Sequence, residues 1–136
     1  MKRLSKYFVI LIFMFSSTAF AAETQLKSGE FVGVNSNYQG EGRAILLQDG
    51  DQQTLQFVDQ FYVTPGPDLY VWLIKNPTPK TAQDVKDSPS VQLAMLKTPS
   101  GNQSYKIPAD IDMSQYGSVV IWCLEFGVLF AHAPLK

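Results

Sequence analysis

The sequence predicts an all-β domain, an antiparallel β-sandwich (barrel-like) of eight or nine short strands. Short runs of β-branched and aromatic residues recur at close spacing, and turns rich in Gly, Pro and Asn separate them. No stretch has the apolar period of a convincing amphipathic helix. Short strands without long helices are typical of sandwiches and barrels, which is why we expect this class.

The densest apolar run outside the N-terminus is SVVIWC, at residues 118–123. Its three consecutive β-branched residues disfavour a helix. Val119, Ile121 and Cys123 share one face of an extended strand, and the residues between them take the other. Both faces are apolar, so the pattern predicts a central strand that is buried on two sides. Residues 124–127 then form a turn before a returning strand.

The remaining elements follow from turn residues that bound each apolar run. Asp49-Gly50-Asp51 predicts a hairpin, and Pro65-Gly66-Pro67 predicts a tight exposed corner because proline cannot join a central strand. A long loop with one helical turn is expected between residues 76 and 90, and a polar connection between residues 110 and 117. The other predicted strands are residues 29–34, 42–48, 54–58, 61–64, 69–75, 91–96 and 103–107.

Residues 1–21 have the organisation of a cleaved secretory signal peptide. Lys2, Arg3 and Lys6 form a cationic start, residues 7–15 form an apolar segment, and Ala19-Phe20-Ala21 supplies the small residues of a cleavage site. A membrane anchor is the alternative, but a spanning helix needs about 20 apolar residues, and three hydroxyl residues interrupt this shorter stretch. No cysteine lies directly after the apolar segment, which excludes a lipoprotein anchor.

Cleavage after Ala21 would leave residues 22–28 as a flexible polar leader and residues 29–136 as one β domain. We expect that domain in the periplasm or outside the cell, with no membrane span in the mature chain. Removing three of the 11 Lys+Arg leaves 8, against 12 Asp+Glu, so the mature net charge is −4. This charge, without any basic run, argues against nucleic acid as a partner.

The inventory of reactive residues is small and excludes most catalytic sites. His132 is the only histidine, and no serine lies in a Gly-x-Ser-x-Gly turn, which argues against a hydrolase. No grouping of His, Cys and carboxylates predicts a metal site. Cys123 is the only cysteine, so the chain can form neither an internal disulfide nor a Cys-x-x-Cys motif.

Cys123 has two interpretations. It is either a small buried hydrophobe, as free cysteines commonly are, or a redox-active thiol or haem ligand beside a pocket. A reactive thiol needs a neighbouring cation or dipole. His132 would approach Cys123 across a hairpin if the turn were centred on residues 125–127. Trp72 and Trp122 are either core residues or the lining of a cofactor pocket and a path for electrons.

Three stretches resemble the motifs of one known family. Residues 61–73, FYVTPGPDLYVWL, are similar to F-x-(S/T)-x-G-P-D-L-x-V-x-L. Residues 101–108, GNQSYKIP, resemble G-x-Q-x-Y-x-(I/L)-P, and residues 119–130, VVIWCLEFGVLF, resemble V-x-I-W-C-x-x-F-x-V-x-F. Together they resemble the electron-transfer DM13 (DM-thirteen) domain family. Ala131 departs from the glycine that the family usually has after the last motif.

The resemblance covers about residues 29–135 and implies an all-β domain with a characteristic cysteine, Cys123 here. In the family this cysteine is proposed to act in redox chemistry, as a bare thiol or as a ligand to a prosthetic group such as haem. Family members occur beside DOMON domains in animal cell-surface proteins and as single exported domains in bacteria.

The leading hypothesis is therefore an exported electron-transfer module rather than a stand-alone enzyme, with an unidentified redox partner or envelope protein. Cys123 is its redox group, and Trp122 and His132 are predicted to help bind a cofactor, whose identity the sequence leaves open. The first alternative is a non-catalytic envelope binding or scaffold domain in which Cys123 is structural. The second alternative is a small-ligand carrier with an aromatic pocket.

Overall fold

The computed structural model describes Ile12, Met14 and residues 23–136, and within this part of the chain it shows nine β-strands. One short helix, α1 (Ala82–Asp87), and one 3₁₀ turn, Met113–Gln115, interrupt the strands. The strands are β1 Thr24–Glu30, β2 Val32–Gly33, β3 Gly40–Asp49, β4 Gln52–Val63, β5 Leu69–Ile74, β6 Ser90–Met95, β7 Gln103–Ile107, β8 Ser118–Cys123 and β9 Val128–Pro134.

The strands form two sheets that face each other across one core. The first sheet has the order β1-β3-β4-β7 and the second has the order β2-β9-β8-β5-β6. Every strand pair is antiparallel. The predicted antiparallel sandwich is confirmed, and because each sheet ends in edge strands it is an open sandwich rather than a closed barrel.

Strand β8 lies in the centre of the second sheet, between β5 and β9, and all six of its residues are buried. Val119, Ile121 and Cys123 belong to the main core between the sheets, on what we call the inner face. Val120 and Trp122 belong to a second apolar cluster on the outer face. The two-sided burial predicted from the alternating apolar pattern is therefore confirmed.

Helix α1 covers part of this outer face. Thr81 starts it as an N-cap, with its side chain accepting a hydrogen bond from the backbone N–H of Asp84 while the Asp84 carboxylate accepts one from the Thr81 backbone. Val85, the buried residue of the helix, packs into the outer cluster. The helical turn expected in this loop is thus present. Within the described residues, no helix is long and apolar enough to cross a membrane.

Strand β4 corrects the expectation of two separate strands at residues 54–58 and 61–64. The structure has one strand that continues through Asp59 and Gln60, whose φ angles are +56° and +60°. Opposite them the β3–β4 register shifts next to Gly42, which has φ +91°. The irregularity is a bulge: it bends the strand without ending it, and the residues that carry it are not glycines.

The N-terminal region also differs from expectation. Residues 24–28, predicted as part of a flexible polar leader, belong to β1, because their backbone groups pair with β3. Ser28 additionally exchanges backbone hydrogen bonds with Lys136. An edge strand gains its stability from such bonds and needs no apolar alternation, which is why the sequence did not reveal it. The predicted signal peptide, residues 1–21, lies almost entirely outside the described residues.

The predicted strand at residues 29–34 is split between the two sheets. Its first residues end β1, Phe31 turns into the core with an exposed fraction of 5%, and Val32 and Gly33 pair with β9 as β2. Ala131, the departure from the family pattern, is fully buried opposite Gly33. A Cβ atom on Gly40 would lie 2.8 Å from the Cβ of Ala131, so Gly40 is the residue whose missing side chain leaves room for Ala131.

Candidate functional site

Cys123 is the last residue of β8 and lies between Leu69 of β5 and Val128 of β9. Its side chain points to the inner face and is 1% exposed. The thiol is free. The alternation that places Val119 and Ile121 in the core therefore carries the sulfur into the same apolar layer, at the end of the strand where the core meets a loop.

That loop, residues 65–68, is the predicted proline corner, and we call it the corner loop. The thiol of Cys123 donates a hydrogen bond to the backbone carbonyl oxygen of Pro67, with 3.1 Å between sulfur and oxygen. Pro67 is itself exposed, so the sulfur lies one layer below the surface. A carbonyl oxygen can only accept, which means that this bond needs the proton on the sulfur.

Local geometry fixes the corner loop over the sulfur. Asp68 adopts φ +58°, and its carbonyl accepts a hydrogen bond from the backbone N–H of Leu124 at 3.0 Å. Gly66 lies against the ring of Phe130, where a Cβ atom would be 2.6 Å from the ring carbon Cε2. The two prolines restrict φ and contribute no N–H donors of their own. The loop and the end of β8 thus form one packed unit.

His132 does not approach Cys123, contrary to the interpretation of the hairpin from sequence. In the β8–β9 ladder His132 lies opposite Val120, whereas Cys123 lies opposite Val128. Residues directly opposite each other share a face, so His132 is on the outer face together with Val120. Burial lowers the pKa of His132 below its usual value of 6.5.

Trp122 is also on the outer face, although it precedes Cys123 in the sequence. Its ring is 5.6 Å from that of Trp72, centroid to centroid, with 34° between the ring planes. Both pack in the cluster under α1. The Nε1 atom of Trp72 is buried and has no hydrogen-bond partner among the described residues. The three residues predicted to form one site are thus split, with Cys123 inside the sandwich and Trp122 and His132 outside it.

Comparison with known families decides which protein class this arrangement represents. The family model described as electron transfer DM13 matches residues 30–135. The chain belongs to this family. The match covers β2 to β9 and includes both the corner loop and Cys123. Comparisons with curated proteins and with solved structures gave no match. This DM13 domain is therefore a redox module of the electron-transfer type.

The residues around Cys123 in this DM13 domain do not fit a haem ligand. The sulfur is 1% exposed and is already bonded to Pro67. Four cavities formed by the described residues have volumes of about 530, 440, 350 and 280 Å³, and Cys123 lines none of them. His132, which could offer a second ligand, faces the other side of the sheet. A planar macrocycle would have to displace the corner loop to reach the sulfur.

Among residues 23–136 of the DM13 domain, no three His, Cys, Asp or Glu side chains are grouped so that they could hold a metal ion. The contact that sequence reasoning missed is the hydrogen bond from Cys123 to the Pro67 carbonyl. The prolines correctly predicted an exposed corner. The sequence cannot show which backbone carbonyl the Cys123 thiol donates to, because every residue has the same carbonyl group.

Proposed function

We propose that this DM13 domain works as an exported electron-transfer module in which Cys123 is the redox group, acting as a bare thiol. Three observations support the proposal. The family is one of electron transfer. The chain has a single cysteine. The sulfur of that cysteine hydrogen-bonds to the backbone carbonyl of Pro67, a residue that is exposed at the surface. The last observation carries the proposal because the acceptor of the thiol proton belongs to a residue at the protein surface.

The burial of Cys123 decides what kind of redox step fits. A covalent exchange with a disulfide needs an exposed thiolate, and a sulfur that is 1% exposed cannot meet a second sulfur without opening of the corner loop. Electron transfer needs no such contact. In the proposed step the S–H group loses one electron to a one-electron oxidant of a partner protein, its proton passes to water at Pro67, and a neutral thiyl radical remains. Reduction reverses the step.

Direct electrochemistry of the purified protein tests this function. We expect a reversible one-electron wave that is lost in Cys123→Ala and kept in His132→Gln, which changes a half-buried residue on the outer face. Circular dichroism must show that both variants are folded. The proposal is refuted if wild-type protein gives no wave, or if folded Cys123→Ala gives the same wave.

The location of the domain is part of the same proposal. The sequence pattern of residues 1–21 supports export to the periplasm or beyond the cell. Mass spectrometry of protein purified from cells that express the full chain is expected to find Ala22 as the first residue. An intact N-terminus on the exported protein would count against cleavage.

A second function, that of a non-catalytic envelope binding or scaffold domain, is favoured by one observation. The sulfur of Cys123 is sealed in the core and satisfied by a hydrogen bond, which is how a structural cysteine is accommodated. In that case folded Cys123→Ala would retain the cellular phenotype of the wild type. Loss of that phenotype, with the fold retained, would exclude the structural role.

A further inference from the structure

A cavity of about 530 Å³ opens at the end of the sandwich remote from Cys123. Strand β4 starts at the Asp49–Gln52 hairpin beside this cavity and ends at Val63, next to the corner loop. The floor of the cavity consists of Leu46, Ile107 and Met113, all of which are buried core residues. A cavity of this size is within the range of small-molecule sites in proteins.

A β-bulge shapes one wall of the cavity. The β1–β3 register shifts between Gln25 and Lys27, so that Leu26 is the extra residue. Leu26 and Lys27 both line the cavity, and the Leu26 side chain is 45% exposed. Bulges re-aim side chains and are common beside binding sites. Here the bulge adds an accessible aliphatic wall to an aliphatic floor.

Polar groups converge on the mouth of the same cavity. Gln48 and Gln53 line it and hydrogen-bond to each other through Gln53 Nε2 and Gln48 Oε1 at 2.9 Å. Lys27 is half-buried there, while Asp51 and Asp112 are exposed. Hydrogen bonds from Ser114, and then the charge of Lys27, lower the pKa of Asp112, so its carboxylate is charged at neutral pH.

These groups determine which ligand fits. The aliphatic floor and wall suit a short hydrocarbon body, whose burial releases water from both surfaces. Two carboxylates, Asp51 and Asp112, and one ammonium group, that of Lys27, line the cavity, so its mouth carries a net negative charge. We propose that this cavity binds a small amphiphile with an aliphatic body and a single ammonium head. The site is independent of the redox function proposed for Cys123.

Octylammonium and octanoate are suitable probes because they share one body and carry opposite head groups. ¹⁵N-labelled protein, purified from cells that express the full chain, is titrated with each at pH 7 and below the micelle concentration, and amide shifts are followed by NMR. We expect octylammonium to give saturable shifts centred on residues 107–114 and β1, with an affinity at least about fivefold above that of octanoate, or about 1 kcal/mol.

Two variants separate the roles of body and head. Leu26→Gln changes an exposed side chain. It is expected to weaken the binding of octylammonium by about fivefold, because a large aliphatic contact is lost. Asp51→Asn is expected to reduce the ratio of the octylammonium affinity to the octanoate affinity. The matched controls are Val32→Gln, which changes a side chain that is 49% exposed, and Glu125→Gln at the far end of the sandwich; both should bind as the wild type.

The titrations decide the proposal whatever their result. Saturable binding that prefers ammonium and responds to Leu26→Gln supports it. Absence of saturable shifts, shifts centred elsewhere, equal or tighter binding of octanoate, or indifference to Leu26→Gln overturns it.

Discussion

Gly66→Ala should expose the thiol of Cys123 by pushing the corner loop away from β8. The added Cβ atom would lie 2.6 and 2.7 Å from two carbons of the Phe130 ring, about 1 Å closer than optimal contact between carbon atoms. The ring cannot simply retreat, because it is 5% exposed and packs against Tyr38 with 4.4 Å between ring centroids. Relief must therefore come largely from the loop, and with it from the bond between Pro67 and the sulfur.

The size of the effect follows from the cost of overpacking. Inserting a methyl group into a well-packed site destabilises by about 1–3 kcal/mol. If this cost is released by local opening of the corner loop, the opened population rises by about fivefold to 140-fold, since every 1.4 kcal/mol is a factor of ten. The rate at which a thiol reagent modifies Cys123 under native conditions should rise by the same factor.

The assay is the absorbance change on reaction with a dithiodipyridine reagent, which reports the single thiol of the chain. Val85→Ala is the matched control, because it truncates a buried side chain on the outer face at a cost of about 1–3 kcal/mol and leaves the corner loop unchanged. Equal modification rates in Gly66→Ala and Val85→Ala would show that the loop does not gate the sulfur.

Three further perturbations test the fold around the site. Burial lowers the pKa of His132, so the folded state binds fewer protons than the unfolded state below about pH 6.5. The free energy of unfolding should therefore fall as the pH is lowered through that range. In urea unfolding, His132→Gln should show a flatter dependence of this free energy on pH. Tyr105→Phe removes the hydroxyl that accepts from the Lys97 amide and should cost about 1–3 kcal/mol in thermal unfolding. Thr81→Ala breaks the capping box and should cost about 1 kcal/mol, with faster hydrogen exchange at the Asp84 amide. A wild-type value in any of these measurements contradicts the corresponding contact.

The sequence predicted the centre of the fold well because local pattern and burial agree there. Two apolar faces on residues 118–123 are sufficient to place β8 between two neighbours. The Asp49-Gly50-Asp51 hairpin and the proline corner are equally local, since each is determined by the φ angles its residues can adopt.

Pairings that depend on distant backbone were not predictable in the same way. Strand β1 is polar and is held by hydrogen bonds to β3, so nothing in its own pattern marks residues 24–28 as a strand. The bulge at Asp59 and Gln60 joins two predicted strands through residues with positive φ that are not glycines.

The candidate site illustrates how strand register determines which side chains lie close together. A register shift in the β8–β9 ladder, opposite Ile121 and Trp122, sets Cys123 opposite Val128, whereas His132 pairs with Val120, three positions from Cys123 and on the other face. A shift of one residue reverses the face of every side chain that follows, and no composition or spacing reveals it. The Pro67 oxygen, which the thiol does contact, is 56 residues away in sequence.

The most direct test of the central claim is the slope of the midpoint potential of the Cys123 wave against pH. If the buried thiol loses its electron and its proton together, the potential should fall by about 59 mV per pH unit, the value for one proton and one electron. A potential that does not change with pH, in a wave that still requires Cys123, would contradict the account, because the sulfur would then be cycling without the proton that it donates to Pro67.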